Sequence, residues 1–247
     1  MTLRYALALL PLSLSMAACS QGDGAGNTTT AAAPVAATPA PASKPWTETV
    51  SKTAEGYRVG NPDAPIKLVE YGARTCPTCG AFGREAYAPL LANYVATGKV
   101  SFEFRDFLVH GAGDLAAALV GQCGGAEPFF PMLEQMYMIQ NDYLDRLQKV
   151  TPEVQASLTN AAPTQVMTTL AEQMGLIDFA KQRGLPEAKV RACLNDKASL
   201  EAIAKITEDT MKAGTVTGTP TFILNGNTLT NTVTWAEVEK ALKAAGA

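Results

Sequence analysis

Two cysteines, separated by two residues, lie where a predicted strand gives way to a predicted helix. Residues 66–71 are rich in apolar and β-branched side chains, a pattern typical of a strand. The pattern from Pro77 to about residue 96 predicts a helix, and proline suits the first helical position because its fixed φ is already helical. Cys76 therefore precedes the first helical turn and Cys79 follows one turn later. Both sulfur atoms are expected at the end of a strand, close to each other.

This position favours the ionised form of the first cysteine. Backbone N–H groups and the helix dipole at a helix N-terminus stabilise negative charge, so we expect an acidic Cys76 thiol. A thiolate is the nucleophile of thiol–disulfide exchange, and Cys79 is close enough to close a small ring with it. The motif Cys76-Pro77-Thr78-Cys79 therefore predicts a redox-active pair.

Zinc sites use the same cysteine spacing, but a structural zinc site needs two more ligands. The chain has one histidine, His110, and the cysteines at 123 and 193 stand at isolated positions. Because no second closely spaced pair exists, the sequence favours redox chemistry and predicts no metal. We expect His110, near the end of a strand, to be a surface residue.

The rest of the pattern predicts an α/β domain with a long helical insertion. Strands are predicted at 100–105, 221–224 and 227–230, the last two joined by an Asn-Gly turn. A final helix, from Thr234 to about residue 245, begins with a capping box that includes Glu237. Between these regions, residues 113–213 carry apolar stripes at helical spacing and no strand pattern. The predicted order is strand, helix, strand, helical insert, strand, strand, helix.

The N-terminal 45 residues have the pattern of an export signal followed by a tether. Residues 1–18 combine Arg4 with a short apolar stretch, as a signal peptide does. The Met-Ala-Ala before Cys19 resembles a lipobox, which predicts a lipidated cysteine; ordinary cleavage without lipid is the alternative. Residues 19–45, rich in Ala, Thr and Pro, predict a disordered tether, and the globular domain is expected over 46–247.

Charge and cysteine number narrow the function further. A net charge of −3 argues against a nucleic-acid-binding surface, which would be strongly basic. Five cysteines are an odd number, and four remain if Cys19 carries lipid. In an oxidising compartment Cys123 and Cys193 are expected to form a structural disulfide, with two buried free thiols as the alternative.

Three motifs resemble those of the DsbA/DsbG-like branch of the thioredoxin superfamily. They are Asp63-Ala64-Pro65 before the strand, the cysteine motif after it, and Gly218-Thr219-Pro220-Thr221-Phe222 near the end. The similarity extends from about Tyr57 to Ala245. It implies a thioredoxin fold with an inserted helical subdomain, and a protein thiol–disulfide oxidoreductase that needs no organic cofactor.

The resemblance also implies roles for residues outside the cysteine motif. Thr219-Pro220 is similar to the family's cis-proline loop, which faces the active cysteines and binds extended substrates; an ordinary trans turn is the alternative. Glu70 is similar in position to a buried carboxylate behind the redox pair, which would take the proton of Cys79. The alternative is a surface glutamate on an exposed strand face.

The implied partners are cysteine-containing exported proteins and a recycling protein, in the periplasm or at the cell envelope, with membrane contact only through lipid on Cys19. Some family members share a second cysteine pair like Cys123 and Cys193.

The direction of the redox reaction stays open. Threonine before Pro220 resembles isomerase-type members, whereas a tether stands where those isomerases carry a dimerisation domain. A non-catalytic thioredoxin-like module, with its cysteines as relics or a metal clip, is the alternative to an enzyme.

Overall fold

Within residues 32–247, six strands form one mixed sheet, and the strand that precedes the cysteine pair lies near its centre. The computed structural model describes residues 32–247. Across the sheet the strand order is β1-β2-β4-β3-β5-β6. In chain order the strands are β1 (Val50–Lys52), β2 (Tyr57–Val59), β3 (Ile66–Gly72), β4 (Val100–Asp106), β5 (Thr221–Leu224) and β6 (Asn227–Thr228).

Strand β3 is flanked by a partner on each side. It runs parallel to β4 and antiparallel to β5, and the register sets Glu70 beside Phe104 of β4 and Phe222 of β5. The side chain of Phe104 in β4 packs closely against β3. A Cβ added at Gly72 would lie only 2.4 Å from the Phe104 ring. The loop that leaves β3 therefore emerges from the middle of the sheet, which places the cysteine pair over the core.

In the described part of the chain, ten α-helices surround the sheet or form a subdomain of their own. Eight of them, α2 to α9, lie between β4 and β5, in agreement with the predicted helical insertion. Within residues 32–247, no helix is both long and apolar enough to span a bilayer. The helices are α1 (Pro77–Asn93), α2 (Ala112–Gln122), α3 (Phe129–Met138), α4 (Gln140–Gln148), α5 (Pro152–Leu158), α6 (Pro163–Gln173), α7 (Leu176–Lys181), α8 (Glu187–Leu194), α9 (Lys197–Lys212) and α10 (Trp235–Ala244).

Helix α3 joins two hydrophobic cores. One core packs α1 and α10 against the sheet, and Phe129 and Tyr137 of α3 belong to it. The other core fills the helical subdomain, and Met132 and Met136 of α3 belong to that one. Because one helix contributes to both cores, the subdomain is fixed against the sheet that carries the redox motif.

Residues 32–45 differ from the predicted tether. The backbone N–H of Val35 donates to the carbonyl of Gly246, and that of Thr38 donates to the carbonyl of Thr97. The indole of Trp46 donates to the Thr38 carbonyl at 2.8 Å, and a Cβ at Gly98 would lie 2.3 Å from that oxygen. Ala and Pro, which dominate the segment, offer little apolar surface, but Val35 and Ala40 pack against the core and backbone groups of the segment bond to the domain. The predicted signal peptide (1–18), lipidated Cys19 and tether residues before 32 lie outside the described residues.

Candidate active site

The two cysteines of the motif occupy different environments at the start of α1. Cys76 is the residue that caps the helix, and its Sγ accepts the backbone N–H of Cys79 at 3.4 Å. Cys76 is 6% exposed and Cys79 is fully buried. Pro77 and Thr78, between them, are exposed. A partner approaching this surface meets the first sulfur and not the second.

The same geometry separates the pKa values of the two thiols. A hydrogen bond from the Cys79 thiol, helped by backbone N–H groups of Thr78 and Cys79, lowers the pKa of Cys76 to about 5 against the opposing effect of burial. Burial raises the pKa of Cys79 well above its usual value. At neutral pH Cys76 is therefore a thiolate and Cys79 a protonated thiol.

The loop before β5 lies beside the first sulfur. The peptide bond between Thr219 and Pro220 is cis, and the Cys76 thiol lies 3.4 Å from the carbonyl oxygen of Thr219. Pro220 is buried and Thr219 is partly exposed. The chain thus brings residues 143 positions apart into contact at the reactive sulfur.

Glu70 is fully buried beneath the cysteine pair. The reading of Glu70 as a surface residue is therefore wrong, because both neighbouring strands and α1 cover it. The Tyr87 hydroxyl donates to its Oε2 at 3.1 Å, and burial raises the pKa of the carboxyl to about 8. The charge of Glu70 also raises the pKa of Cys79, so the two groups are electrostatically coupled.

A buried ion pair anchors the loop between β3 and α1. Arg74 is fully buried, and its guanidinium donates to both carboxylate oxygens of Asp106, at 2.7 Å and 3.1 Å. Gln122 adds a third donor to Asp106, and the guanidinium lies 5.2 Å from the centre of the Phe129 ring. Sequence reasoning missed this pair, since nothing local indicates that an arginine in a loop reaches the end of β4.

A second polar cluster holds the residue before Cys76. Asp114, 1% exposed, accepts hydrogen bonds from the backbone N–H and the hydroxyl of Thr75 and from the backbone N–H of His110. The Thr75 hydroxyl gives its only proton to Asp114, so the His110 Nδ1, 2.7 Å away, must be the donor to Thr75 Oγ1. His110 is exposed as predicted, but it lies against the active-site loop, which its sequence position did not indicate.

The other two cysteines of the described region are joined to each other. Cys123 and Cys193 form a disulfide that links the C-terminal end of α2 to α8. The bond lies within the helical subdomain. No group of three or more His, Cys, Asp or Glu side chains is arranged to hold a metal ion anywhere in residues 32–247.

A family model described as thioredoxin matches residues 52–244. The chain belongs to the thioredoxin family. A Rickettsia conorii protein named as a protein-disulfide oxidoreductase is 26% identical over 192 residues, which cover 75% of this chain and 60% of that protein. Disulfide bond formation protein D of Bacillus subtilis is 24% identical over 188 residues, 75% of this chain and 74% of that protein. The chain therefore spans 60% of the length of the Rickettsia relative.

The fold of the chain also matches solved structures. The crystal structure of a protein-disulfide isomerase from Novosphingobium aromaticivorans superposes with a TM-score of 0.73 at 28% identity, over 78% of this chain and 98% of that one. The α-DsbA1 of Wolbachia pipientis shares the fold, with a TM-score of 0.60 at 18% identity over 80% and 94% of the two chains. The predicted resemblance and fold class are confirmed, and the names of these proteins agree with the predicted enzyme class.

Proposed function

We propose that this chain is a protein thiol oxidase, which transfers a disulfide from Cys76 and Cys79 to cysteine pairs of exported proteins. The observation that carries the proposal is the asymmetry of the two sulfur atoms. Cys76 caps a helix beside the Thr219 carbonyl and has a lowered pKa, whereas Cys79 is buried and has a raised one. Such a pair offers one sulfur for attack and keeps the other as an internal leaving group.

In the first step a substrate thiolate attacks Sγ of Cys76 in the oxidised enzyme. A substrate–Cys76 bond forms, the Cys76–Cys79 bond breaks, and Cys79 leaves with the electron pair. Cys79 then takes up a proton because its pKa is raised. Glu70, with a pKa of about 8, is mostly protonated at neutral pH and supplies that proton.

In the second step another thiolate of the substrate attacks the substrate sulfur of the mixed disulfide. The substrate disulfide forms and Cys76 leaves as a thiolate. The substrate dithiol has then lost two electrons and the enzyme disulfide has gained them. The lowered pKa of Cys76 helps this step, since a more acidic thiol is the better leaving group.

The same stabilisation supports the oxidising direction. Hydrogen bonds that stabilise the Cys76 thiolate lower the free energy of the reduced enzyme relative to its disulfide, which makes that disulfide a stronger oxidant. The name of the Bacillus subtilis relative, which refers to disulfide bond formation, supports this direction. A recycling oxidant must then restore the Cys76–Cys79 disulfide after each turnover.

Disulfide isomerisation is the second candidate. It is favoured by threonine at position 219, before Pro220, and by the name of the Novosphingobium structure. An isomerase works from its reduced state, so it would catalyse insulin reduction by dithiothreitol more readily than oxidation of a reduced protein. A non-catalytic module would do neither.

We place this activity at the cell envelope. Residues 1–18 have the pattern of a signal peptide, and Cys19 follows a lipobox-like motif. The mass of the N-terminal peptide from membrane-associated protein tests this: a diacylglyceryl cysteine at Cys19 supports the anchor. An unmodified terminus near residue 19 supports a soluble exported protein.

The test of the activity uses pre-oxidised full chain and an unfolded, reduced substrate protein with two thiols. The wild-type chain should form the substrate disulfide, and Cys76→Ser should not. Cys79→Ser has no active-site disulfide to transfer and should not oxidise the substrate. With a substrate that carries a disulfide, its Cys76 thiolate should attack and form a mixed disulfide that persists, because a serine hydroxyl is too weakly acidic to displace the bound substrate. Replacing Cys123 and Cys193 with alanine should leave substrate oxidation intact. Failure of the wild-type chain to oxidise the substrate, with insulin reduction intact, would favour the isomerase.

A further inference from the structure

Gln140 is a buried polar residue of the helical subdomain that the redox chemistry does not itself use. It is the first residue of α4 and is 1% exposed. Its Nε2 donates to the carbonyl oxygen of Arg74 at 3.0 Å and to that of Cys76 at 2.8 Å. One side chain therefore holds both ends of the three-residue segment that leads into α1.

Both carbonyls have another donor. Tyr143, one turn further along α4, donates its hydroxyl to the Arg74 carbonyl. The Cys76 carbonyl accepts the backbone N–H of Gly80 at 3.0 Å, the first hydrogen bond of α1. Loss of the Gln140 amide would therefore leave neither carbonyl unpaired in the interior, so we expect the fold to persist without it.

The buried amide of Gln140 lowers the stability of the fold. Among the described residues, nothing donates to its Oε1, although that atom is buried. A buried acceptor without a donor destabilises a fold, so an apolar side chain of the same length would suit this position better for stability alone. Residues that break a local rule in this way are typical of functional sites.

The first turn of α1 is shaped to admit this side chain. A Cβ added at Gly80 would lie 2.0 Å from Oε1 and 2.8 Å from Nε2 of Gln140. Only glycine therefore leaves room for the amide directly beside the turn that carries both cysteines. The contact is reciprocal: Gln140 packs on the turn, and the turn lacks a side chain where Gln140 packs.

We propose that Gln140 is a positioning residue for the redox pair: by holding the carbonyls of Arg74 and Cys76, it fixes the first turn of α1 so that backbone N–H groups stay directed at the Cys76 sulfur. The proposal rests on the proposed function, in which the Cys76 thiolate is the form that the site stabilises. It assigns to the helical subdomain control over the acidity of a cysteine in the thioredoxin core.

Gln140→Met tests the proposal, since methionine keeps the length and removes the donors. Without the two hydrogen bonds from Gln140, the Cys79 N–H is directed less well at Sγ of Cys76. The pKa of Cys76 should therefore rise by about one unit, a tenfold change in its acid dissociation constant. The reduction potential should fall by about 30 mV, the equivalent of a tenfold change for a two-electron couple. The melting temperature should stay the same or rise, because the unpaired Oε1 is removed.

Three further variants separate positioning from a general structural effect. Gln148→Met makes the same change at an exposed position of α4 and should alter neither quantity. Leu176→Ala opens a hole in the core of the helical subdomain and should lower the melting temperature without changing the pKa of Cys76. Gly80→Ala, which displaces the Gln140 amide while the residue itself is kept, should raise the pKa of Cys76 as Gln140→Met does.

The measurements are the ultraviolet absorbance of the thiolate against pH and equilibration with glutathione, both on the full chain. If the wild-type thiol is acidic and both Gln140→Met and Gly80→Ala leave its pKa unchanged, the proposal is overturned and the proposed function stands. If the wild-type Cys76 thiol itself titrates as an ordinary cysteine, both the proposed function and the positioning role of Gln140 are wrong. A pKa that rises equally in Leu176→Ala also overturns the proposal, because loosening of the subdomain would then suffice.

Discussion

The loop from β3 to α1 is surrounded by buried ionisable side chains. Arg74 lies within it and is paired with Asp106, Asp114 accepts from Thr75, and Glu70 lies beneath the cysteines. Each of these groups loses hydration on folding and is compensated by a specific partner. The position of the Cys76 sulfur is therefore determined by polar contacts as well as by the apolar core.

Removal of one partner of the buried ion pair should lower the free energy of unfolding far more than removal of both. Arg74→Met leaves Asp106 charged in the interior, and we expect a loss of about 3–5 kcal/mol in the free energy of unfolding. Combining Arg74→Met with Asp106→Leu should recover a large part of that loss. Denaturant unfolding of the two variants checks this, and equal losses in both would show that the uncompensated charge is not the cause.

The raised pKa of Glu70 makes stability depend on pH in a defined window. In the unfolded chain the carboxyl loses its proton near its usual value of 4.5, whereas in the folded chain it keeps the proton until about 8. Between these values the folded state binds more protons, so stability falls as pH rises, by at most about 1.4 kcal/mol per pH unit.

Glu70→Gln has no proton to lose, so its stability relative to the wild-type chain should increase from pH 4.5 to about 8 and then level off. Unfolding experiments at several pH values measure the difference. A constant difference across that window would contradict a protonated Glu70.

Glu70→Gln should also slow one chemical step more than another. When Cys79 attacks a mixed disulfide at Cys76, its thiol must first lose a proton. The ionised form of Glu70, the minor form at neutral pH because its pKa is about 8, accepts that proton, and a glutamine amide does not. General-base assistance contributes about 100-fold or more, so we expect resolution to slow on that scale while the initial reaction at Cys76 changes little. Stopped-flow measurement of the two steps decides the matter, and equal effects on both would remove Glu70 from the proton path.

Sequence patterns could predict the reactive residues but not the side chains that hold the active-site loop in place. The cysteine motif lies within one strand–turn–helix unit, so local reasoning reaches it, whereas Glu70 and the Thr-Pro loop were reached through their resemblance to features of a known family. Asp114 lies 39 positions from Thr75 and Gln140 lies 64 positions from Cys76. Contacts over such separations depend on how the helical subdomain packs, which no local pattern shows.

At the scale of elements, the disulfide of the helical subdomain has an energetic role. It joins residues separated by 70 positions, and closing a loop of that length in the unfolded chain corresponds to about 4 kcal/mol in the chain-entropy model. Replacing Cys123 and Cys193 together with alanine should lower the free energy of unfolding on that scale. The pKa of Cys76 should not change, and denaturant unfolding with thiolate titration measures both; an unaltered free energy would contradict the structural role.

Long elements were predictable and short ones were not. The central strands and α1 follow from apolar runs and from a proline at the helix start, although α1 ends at Asn93, earlier than predicted. Strands β1 and β2 have three residues each and were missed, because they form only by pairing with each other and with β4. Strand β6 ends at Thr228, two residues earlier than predicted, although the backbone N–H of Leu229 still donates to the carbonyl of Phe222 in β5.

At the scale of the whole molecule, two cores share α3, and α4 follows it directly. This arrangement brings a helical subdomain into contact with the turn that carries the redox pair. Residues 32–45 are held to the domain although their composition predicts a tether. Val35 and Ala40 pack against the core that includes the sheet, and backbone hydrogen bonds fix the segment. Composition reports what a segment can bury and says little about where its backbone can bond.

The reduction potential of the Cys76–Cys79 pair decides whether the chain acts as a protein thiol oxidase. It is measured by equilibration of the full chain with glutathione buffers and quantification of the two redox states, with Cys76→Ser as the blank. Because the site stabilises the Cys76 thiolate, we expect a potential above roughly −200 mV, toward the roughly −120 mV of DsbA. A potential at or below roughly −200 mV, toward the roughly −270 mV of thioredoxin, would contradict a protein thiol oxidase.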